Sequence, residues 1–162
     1  MVIAPDNFRD EEFFETKQVL ESSNIDVTVV NSTGQPSKSK FGKIVIPDKN
    51  FYDVDSKDFD AIVFVGGSGS AVYQNHNRVM ELVKQFDQAG KVIGAICIAP
   101  TILVNAGVLD NKKATAFPSE RDNINAVGIY TGKNVQVDGK IITANGPQAS
   151  KEFGEKIVEA LS

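Results

Sequence analysis

The chain of 162 residues has one cysteine, one histidine and no tryptophan. A lone cysteine cannot close an internal disulfide, and this fits a reducing, intracellular setting. A lone histidine excludes a metal site of two or more histidines within one chain, and without further cysteines nothing supports a zinc site. Positive charge is in deficit: 17 Lys and Arg against 21 Asp and Glu leave a net charge of −4. That balance points to no nucleic-acid partner. No apolar run nears the roughly 20 residues that a membrane helix needs, so no membrane partner is expected. The opening residues, Met1-Val2-Ile3-Ala4-Pro5-Asp6, lack the basic region of a secretion signal, and the cytoplasm is the expected compartment. The stretch Gly66-Gly67-Ser68-Gly69-Ser70 is followed by no Gly-Lys-Ser/Thr and lacks the third glycine of a dinucleotide fingerprint. No Gly-x-Ser-x-Gly elbow occurs either. Neither a cofactor, a metal nor a serine nucleophile is expected.

What is present describes one folded domain over 1–162: 41% hydrophobic and 23% charged residues, enough chain for a substantial core. Val2-Ile3-Ala4 is a short first strand stopped by Pro5. Residues 10–23 form a helix with acids in its first turn and Phe13 and Leu20 two turns apart. Residues 25–30 alternate as a strand, 31–43 make a loop or polar hairpin, and 44–46 a further strand. The continuous apolar runs 59–65 and 92–96 are strands covered on both faces. Between them Val72, Val79, Met80, Val83 and Phe86 keep helical spacing up to Gly90. A helix follows at 99–105, a strand at 113–117, and a short helix at 119–125 with Ser119 and Asp122 spaced as a capping box. Residues 135–143 are a hairpin turning at Asp138-Gly139, and a last helix from Pro147 carries Phe153, Ile157, Val158 and Leu161. Strands alternating with helices predict an α/β sandwich, a mostly parallel sheet with a late antiparallel hairpin.

The only cysteine, Cys97, ends the strand 92–96 and precedes Ile98-Ala99-Pro100 and a helix. A reactive side chain on a sharp strand-to-helix turn is a nucleophile elbow, which aims backbone N–H groups at whatever the nucleophile attacks. The bland alternative is a small buried hydrophobe. Ligands of parallel sheets bind beyond the carboxyl ends of the strands, here 5–12, 66–70 and Cys97. If these converge, Glu12 is a carboxylate beside the thiol, and the amides of Gly67 and Ile98 are placed for a developing oxyanion. Spacing alone does not prefer Glu12 over Asp10 or Glu11, which equally suit a helix N-terminus. His76, among Asn75, Asn77 and Arg78, reads as a solvated helix face and only secondarily as a base.

Ala95-Ile96-Cys97-Ile98-Ala99-Pro100, with Val65-Gly66-Gly67 about thirty residues upstream, resembles the ThiJ/PfpI family within the class I glutamine-amidotransferase-like fold. Phe8-Arg9-Asp10-Glu11-Glu12, Ile46-Pro47-Asp48, Phe59-Asp60-Ala61-Ile62-Val63 and the tail from Thr143 through Pro147 to Phe153 extend the resemblance over nearly the whole chain. It implies a three-layer flavodoxin-like sandwich, a homodimer, Cys97 hydrogen-bonded to Glu12, oxyanion amides from Gly67 and Ile98, and a site lined by Gly66, Phe117 and Pro147. A protonated Glu12 donating to the sulfur would lower the thiol pKa and favour oxidation. Two departures bear on activity: Ile98 stands where protease-like members have histidine, and Phe117 where others have histidine or tyrosine. Peptide hydrolysis needs a base for the thiol and an acid for the amine. The expected reaction is therefore of glyoxalase or deglycase type, on a small-molecule carbonyl substrate such as methylglyoxal. The alternatives are an intracellular peptidase or amidase, with His76 or a partner subunit's residue as base, and a non-enzymatic redox sensor or chaperone.

Overall fold

Uninterrupted apolar strands require cover on both faces. In the computed structural model, which describes residues 1–162, two helical layers provide it. The first half of the chain runs β1 (Asp6–Phe8), α1 (Asp10–Ser22), β2 (Val30–Asn31), β3 (Ser37–Ser39), β4 (Ile44–Val45), β5 (Lys49–Asn50), β6 (Ala61–Phe64) and α2 (Asn77–Gln88). The second half runs β7 (Val92–Ile96), α3 (Pro100–Asn105), β8 (Lys113–Ala114), α4 (Arg121–Asn125), β9 (Ile129–Tyr130), β10 (Val135–Asp138), β11 (Ile141–Ala144) and α5 (Ser150–Leu161).

The main sheet has the order β10-β11-β7-β6, parallel except for the β10–β11 hairpin. The strand expected at Val2-Ile3-Ala4 is reduced to isolated bridges: Val2 meets Phe64 on one side and Val30 on the other, which carries the sheet on to β2 and β5. Alternate residues feed opposite layers. Ile62, Phe64, Ile93, Ala95 and Ile141 pack with Val79, Leu82, Val83 and Phe86 of α2 and with Ile102 and Leu103 of α3. Val63, Val92, Ile96, Ile142 and Ala144 pack with Leu20 of α1 and with Phe153 and Ile157 of α5. Each large side chain so buried contributes on the order of 1.5–3 kcal/mol. The result is the three-layer, flavodoxin-like sandwich that the alternation of elements predicts. No helix is long and apolar enough to cross a membrane.

Within the loop or polar hairpin expected at 31–43 only 37–39 is a strand, β3; it pairs antiparallel with β4, the strand expected at 44–46, and in parallel with β1 in a small second sheet. Elsewhere the structure departs from expectation. The strand expected at 25–30 has ladder pairs only at Val30–Asn31, because the Asp48 carboxylate takes the Val29 N–H (2.7 Å) in place of a neighbouring strand. The helix read from Val72 starts at Asn77: residues 68–73 form a 3-10 helix stabilised by Ser70 Oγ donating to the Gly67 carbonyl (2.8 Å), and Val72 is 61% exposed. Ser119 caps nothing; its hydroxyl donates to the neighbouring Glu120 (2.9 Å) and α4 begins without a side-chain cap. The strand expected at 113–117 stops at Ala114, since Thr115 N–H turns to Thr143 Oγ1 (2.9 Å). In the late hairpin Asp138 pairs with Ile141, so the turn is Gly139-Lys140, one residue on, with Gly139 at φ +61°.

Candidate active site

The three strand ends do converge. Arg9 N–H donates to the Gly66 carbonyl (3.1 Å), which joins the start of α1 to the end of β6. Gly66 N–H in turn donates to Glu12 Oε2 (2.9 Å). Gly66 must be glycine for closeness: a Cβ there would lie 2.5 Å from Glu12 Oε2 and 2.6 Å from Cys97 Cβ. Gly67 must be glycine twice over, at φ +93° and with Arg9 N and Asn7 O each 2.5 Å from where its Cβ would stand.

Cys97 follows β7 in the left-handed region, φ +66°, a strained conformation for a residue with a side chain. Both of its backbone groups are tied: its N–H donates to Ala144 O (2.9 Å) and its carbonyl accepts from Phe117 N–H (2.8 Å). Pro100, at the first turn of α3, needs no hydrogen-bond partner there and presets the helical φ. The backbone N–H groups of Gly67 and Ile98 lie beside the Cys97 sulfur and favour its ionised form, and Glu12 is its side-chain neighbour.

The three acids of the α1 first turn have three separate fates. Asp10 is buried and holds the β3–β4 hairpin, accepting from Ser39 Oγ (2.7 Å) and Phe41 N–H (3.2 Å). Glu11 pairs with Arg9 (2.6 Å) at the surface. Glu12 is fully buried, and its Oε1 has no hydrogen-bond partner of good geometry. Burial pushes the Glu12 carboxyl up to about 7, against the Cys97 and Gly66 hydrogen bonds that favour its charge. Burial also pushes the Cys97 thiol up, to about 12, with the Glu12 charge adding to the rise and the Gly67 and Ile98 amides opposing it. The lowering that the resemblance implies belongs to a protonated Glu12, in which the charge that adds to this rise is absent. Two acids in one dry pocket share a proton, and the second is hard to remove.

Arg9 is the residue that sequence reasoning passed over. Its guanidinium, over the Phe41 ring at 5.2 Å, acts electrostatically on both Glu12 and Cys97. The available signal was one cation in the acidic run Asp6 to Glu12. Phe117 reaches the site through its backbone, while its side chain is 44% exposed. Pro147 lies three residues beyond Ala144, at the turn into α5. His76 is not brought to the thiol. It packs edge-on to Phe51 (5.2 Å between ring centroids), contacts Tyr52 Oη through Nε2 (3.4 Å), and lines a surface cavity with Asn75, Asn77, Arg78 and Glu81. It is therefore no base for Cys97 within the chain. No three His, Cys, Asp or Glu side chains are grouped to hold a metal ion.

Fold and site together define a flavodoxin-like α/β protein with a cysteine at a strand-to-helix elbow and a buried glutamate beside it. The sequence profile of the DJ-1/PfpI family matches residues 1–160, and the chain belongs to that family. It is 42% identical over 165 residues to an uncharacterized protein of Methanocaldococcus jannaschii, an alignment spanning 99% of this chain and 80% of that protein. It is 32% identical over 162 residues to a glutathione-independent glyoxalase of Caenorhabditis elegans, covering 99% of this chain and 87% of the relative. Among solved structures, a ThiJ/PfpI domain protein from Brachyspira murdochii superposes with a TM-score of 0.96 at 33% identity, over 99% of this chain and 93% of the other.

Proposed function

We propose that the protein is an enzyme acting on small 2-oxoaldehydes such as methylglyoxal, with Cys97 as nucleophile and Glu12 as the group that moves the proton. The observation that carries this reading is the buried carboxyl, poised near 7, next to a thiol at a strained elbow. A base with its pKa near the working pH is the most effective proton acceptor. Glu12 takes the thiol proton as sulfur adds to the aldehyde carbon, and the negative charge moves from sulfur to the carbonyl oxygen. The amides of Gly67 and Ile98, beside the sulfur at rest, take up that oxygen. The proton on the former aldehyde carbon is then carried to the neighbouring ketone carbon, so that one carbon is oxidised and the other reduced. Water cleaves the resulting thioester, releasing lactate and restoring the thiol. No external oxidant or reductant enters the balance.

The glyoxalase name of the Caenorhabditis elegans relative supports this chemistry. Peptide hydrolysis finds less support, because it asks for a separate acid at the leaving amine and His76 lies elsewhere. Incubation of purified protein with methylglyoxal is expected to yield lactate. Cys97→Ser is expected to yield none, and Glu12→Gln to lose on the order of 10²-fold or more in kcat/KM. The acid limb of the wild-type pH profile should fall near 7, where Glu12 titrates. Methylglyoxal left unchanged, with no lactate, would sink the reading.

A further inference from the structure

The wall of the Cys97 site that carries Glu12 also carries a cation that none of the proposed steps uses. Arg9 N–H donates to the Gly66 carbonyl (3.1 Å), and its nitrogen lies 2.5 Å from where a Gly67 Cβ would stand. Residue 9 is thus packed against the turn whose two glycine amides hold Glu12 and lie beside the sulfur. The Arg9 side chain leaves this wall for the surface, 25% exposed. There it is held twice. Nε and Nη2 donate to the Glu11 carboxylate (2.6 and 3.4 Å), and the guanidinium lies over the Phe41 ring, 5.2 Å from its centroid. Its third nitrogen, Nη1, makes no hydrogen bond within the chain.

Phe41 sits in the β3–β4 turn and is 61% exposed. Backbone bonds bring it to Arg9: Lys40 N–H donates to Phe8 O (2.9 Å) and Phe41 N–H to Asp10 Oδ1 (3.2 Å), which ties the turn to the start of α1. The Lys40 ammonium lies 5.8 Å from the centroid of the same ring. An aromatic ring under a guanidinium fixes its plane, so less freedom is lost when an anion binds. Arg9 and Lys40 against Glu11 leave one net positive charge here, in a chain whose net charge is −4. The remaining acid of this turn, Asp10, is buried and turned toward Ser39 and Phe41. A partly exposed pair with Glu11 adds little to stability. What sets Arg9 apart is its place, within electrostatic reach of both Glu12 and Cys97.

We propose that Arg9, with Lys40 beside it on the Phe41 ring, is an anion subsite at the mouth of the Cys97 site, and that the substrate is a 2-oxoaldehyde carrying a carboxylate beyond its ketone. The proposal rests on the 2-oxoaldehyde reading for the reacting end and adds the charge at the other end. A planar guanidinium with a free N–H edge matches a carboxylate, and one net positive charge balances one negative charge. A doubly charged group would face Glu11 with no further cation to offset it. The contact lies outside the bonds that change, so it acts in binding and leaves the steps at Cys97 and Glu12 as they are.

Iodoacetate and iodoacetamide test the subsite without turnover. Both meet the same Cys97 thiolate, so the ratio of their alkylation rates cancels any change in its ionisation and reports the charge around it. In Arg9→Gln the iodoacetate-to-iodoacetamide ratio is expected to fall about fivefold or more, in Lys40→Gln by less, and Arg9→Lys should keep part of it. Raising salt from about 0.02 M to about 0.5 M should lower the wild-type ratio and barely move that of Arg9→Gln. As substrate, 4,5-dioxopentanoate is expected to exceed its neutral methyl ester about tenfold in kcat/KM, through KM, and Arg9→Gln should erase the preference. An alkylation ratio indifferent to both Arg9→Gln and salt would overturn the subsite, even with methylglyoxal converted to lactate. Equal kcat/KM for acid and ester in wild type would overturn the substrate class. A ratio that falls as expected while no oxoaldehyde is converted would uphold the anion subsite and overturn the chemistry on which its substrate rests.

Discussion

Asp10, Glu11 and Glu12 are neighbours of one residue type or nearly so, and the fold gives them three different roles. Nothing in their spacing separates them; only the placement of Gly66 against the first turn of α1 does, by filling one oxygen of Glu12 and sealing the other from water. That placement depends on contacts more than fifty residues apart, which explains why the residues alone left Glu12 level with its neighbours and only the family resemblance singled it out. Its raised carboxyl pKa has a consequence for stability. The folded protein keeps a proton on Glu12 that the unfolded chain releases as pH rises from 4.5 toward 7, so the contribution of this group to stability is present at low pH and lost across that window. Glu12→Gln removes the dependence. In urea unfolding at about pH 4 and about pH 8, the variant is predicted to gain relative to wild type at the higher pH, by on the order of 3 kcal/mol. A difference independent of pH would contradict the assignment.

Among the elements, those whose pattern was longest were the most legible. The run 92–96 is β7 residue for residue, and the helices read at 10–23 and from Pro147 onward are α1 and α5 within a residue or a short 3-10 turn. The failures share a cause. Val72 fits a helical period by number, but the Gly67 turn and the Ser70 hydroxyl hold 68–73 in a tighter winding that presents Val72 to solvent. At 119–125 the capping-box spacing is present, but a 3-10 turn from Pro118 shifts the helix start, and Ser119 is left outside it. Local side-chain and turn chemistry overrides periodicity over spans this short. Gly94 shows the opposite case, a glycine inside a strand that exists for packing. A Cβ there would stand 3.0 Å from Phe153 Cζ and 3.2 Å from Ile157 Cδ1. Gly94→Ala is predicted to cost about 1–3 kcal/mol by overpacking α5 against β7. Phe153→Leu in the same chain should recover part of that loss. A double-mutant cycle in urea with no coupling between the two sites would refute the packing account.

At the scale of the whole molecule, the carboxyl end of β6 delivers Gly66 and Gly67 to the thiol. The layered architecture was readable because apolar runs without polar alternation can only be sheet strands covered on both faces. The convergence of the three loops was readable as a rule of parallel sheets, not as a set of distances. That His76 lies outside the site was the favoured reading of its polar neighbours; what they did not show is that its ring packs on Phe51 and Tyr73, brought there by the fold. The upward pull of burial on the Cys97 thiol is visible only once both side chains are placed.

The central claim is that Glu12 and Cys97 hold one proton between them. The pH dependence of Cys97 alkylation by iodoacetamide, in wild type and in Glu12→Gln, tests it most directly. The account predicts a thiol in wild type that ionises well above the free value of about 8.5, with its midpoint moving down when the Glu12 charge is removed. A midpoint that stays in place, or moves up, in Glu12→Gln would contradict it.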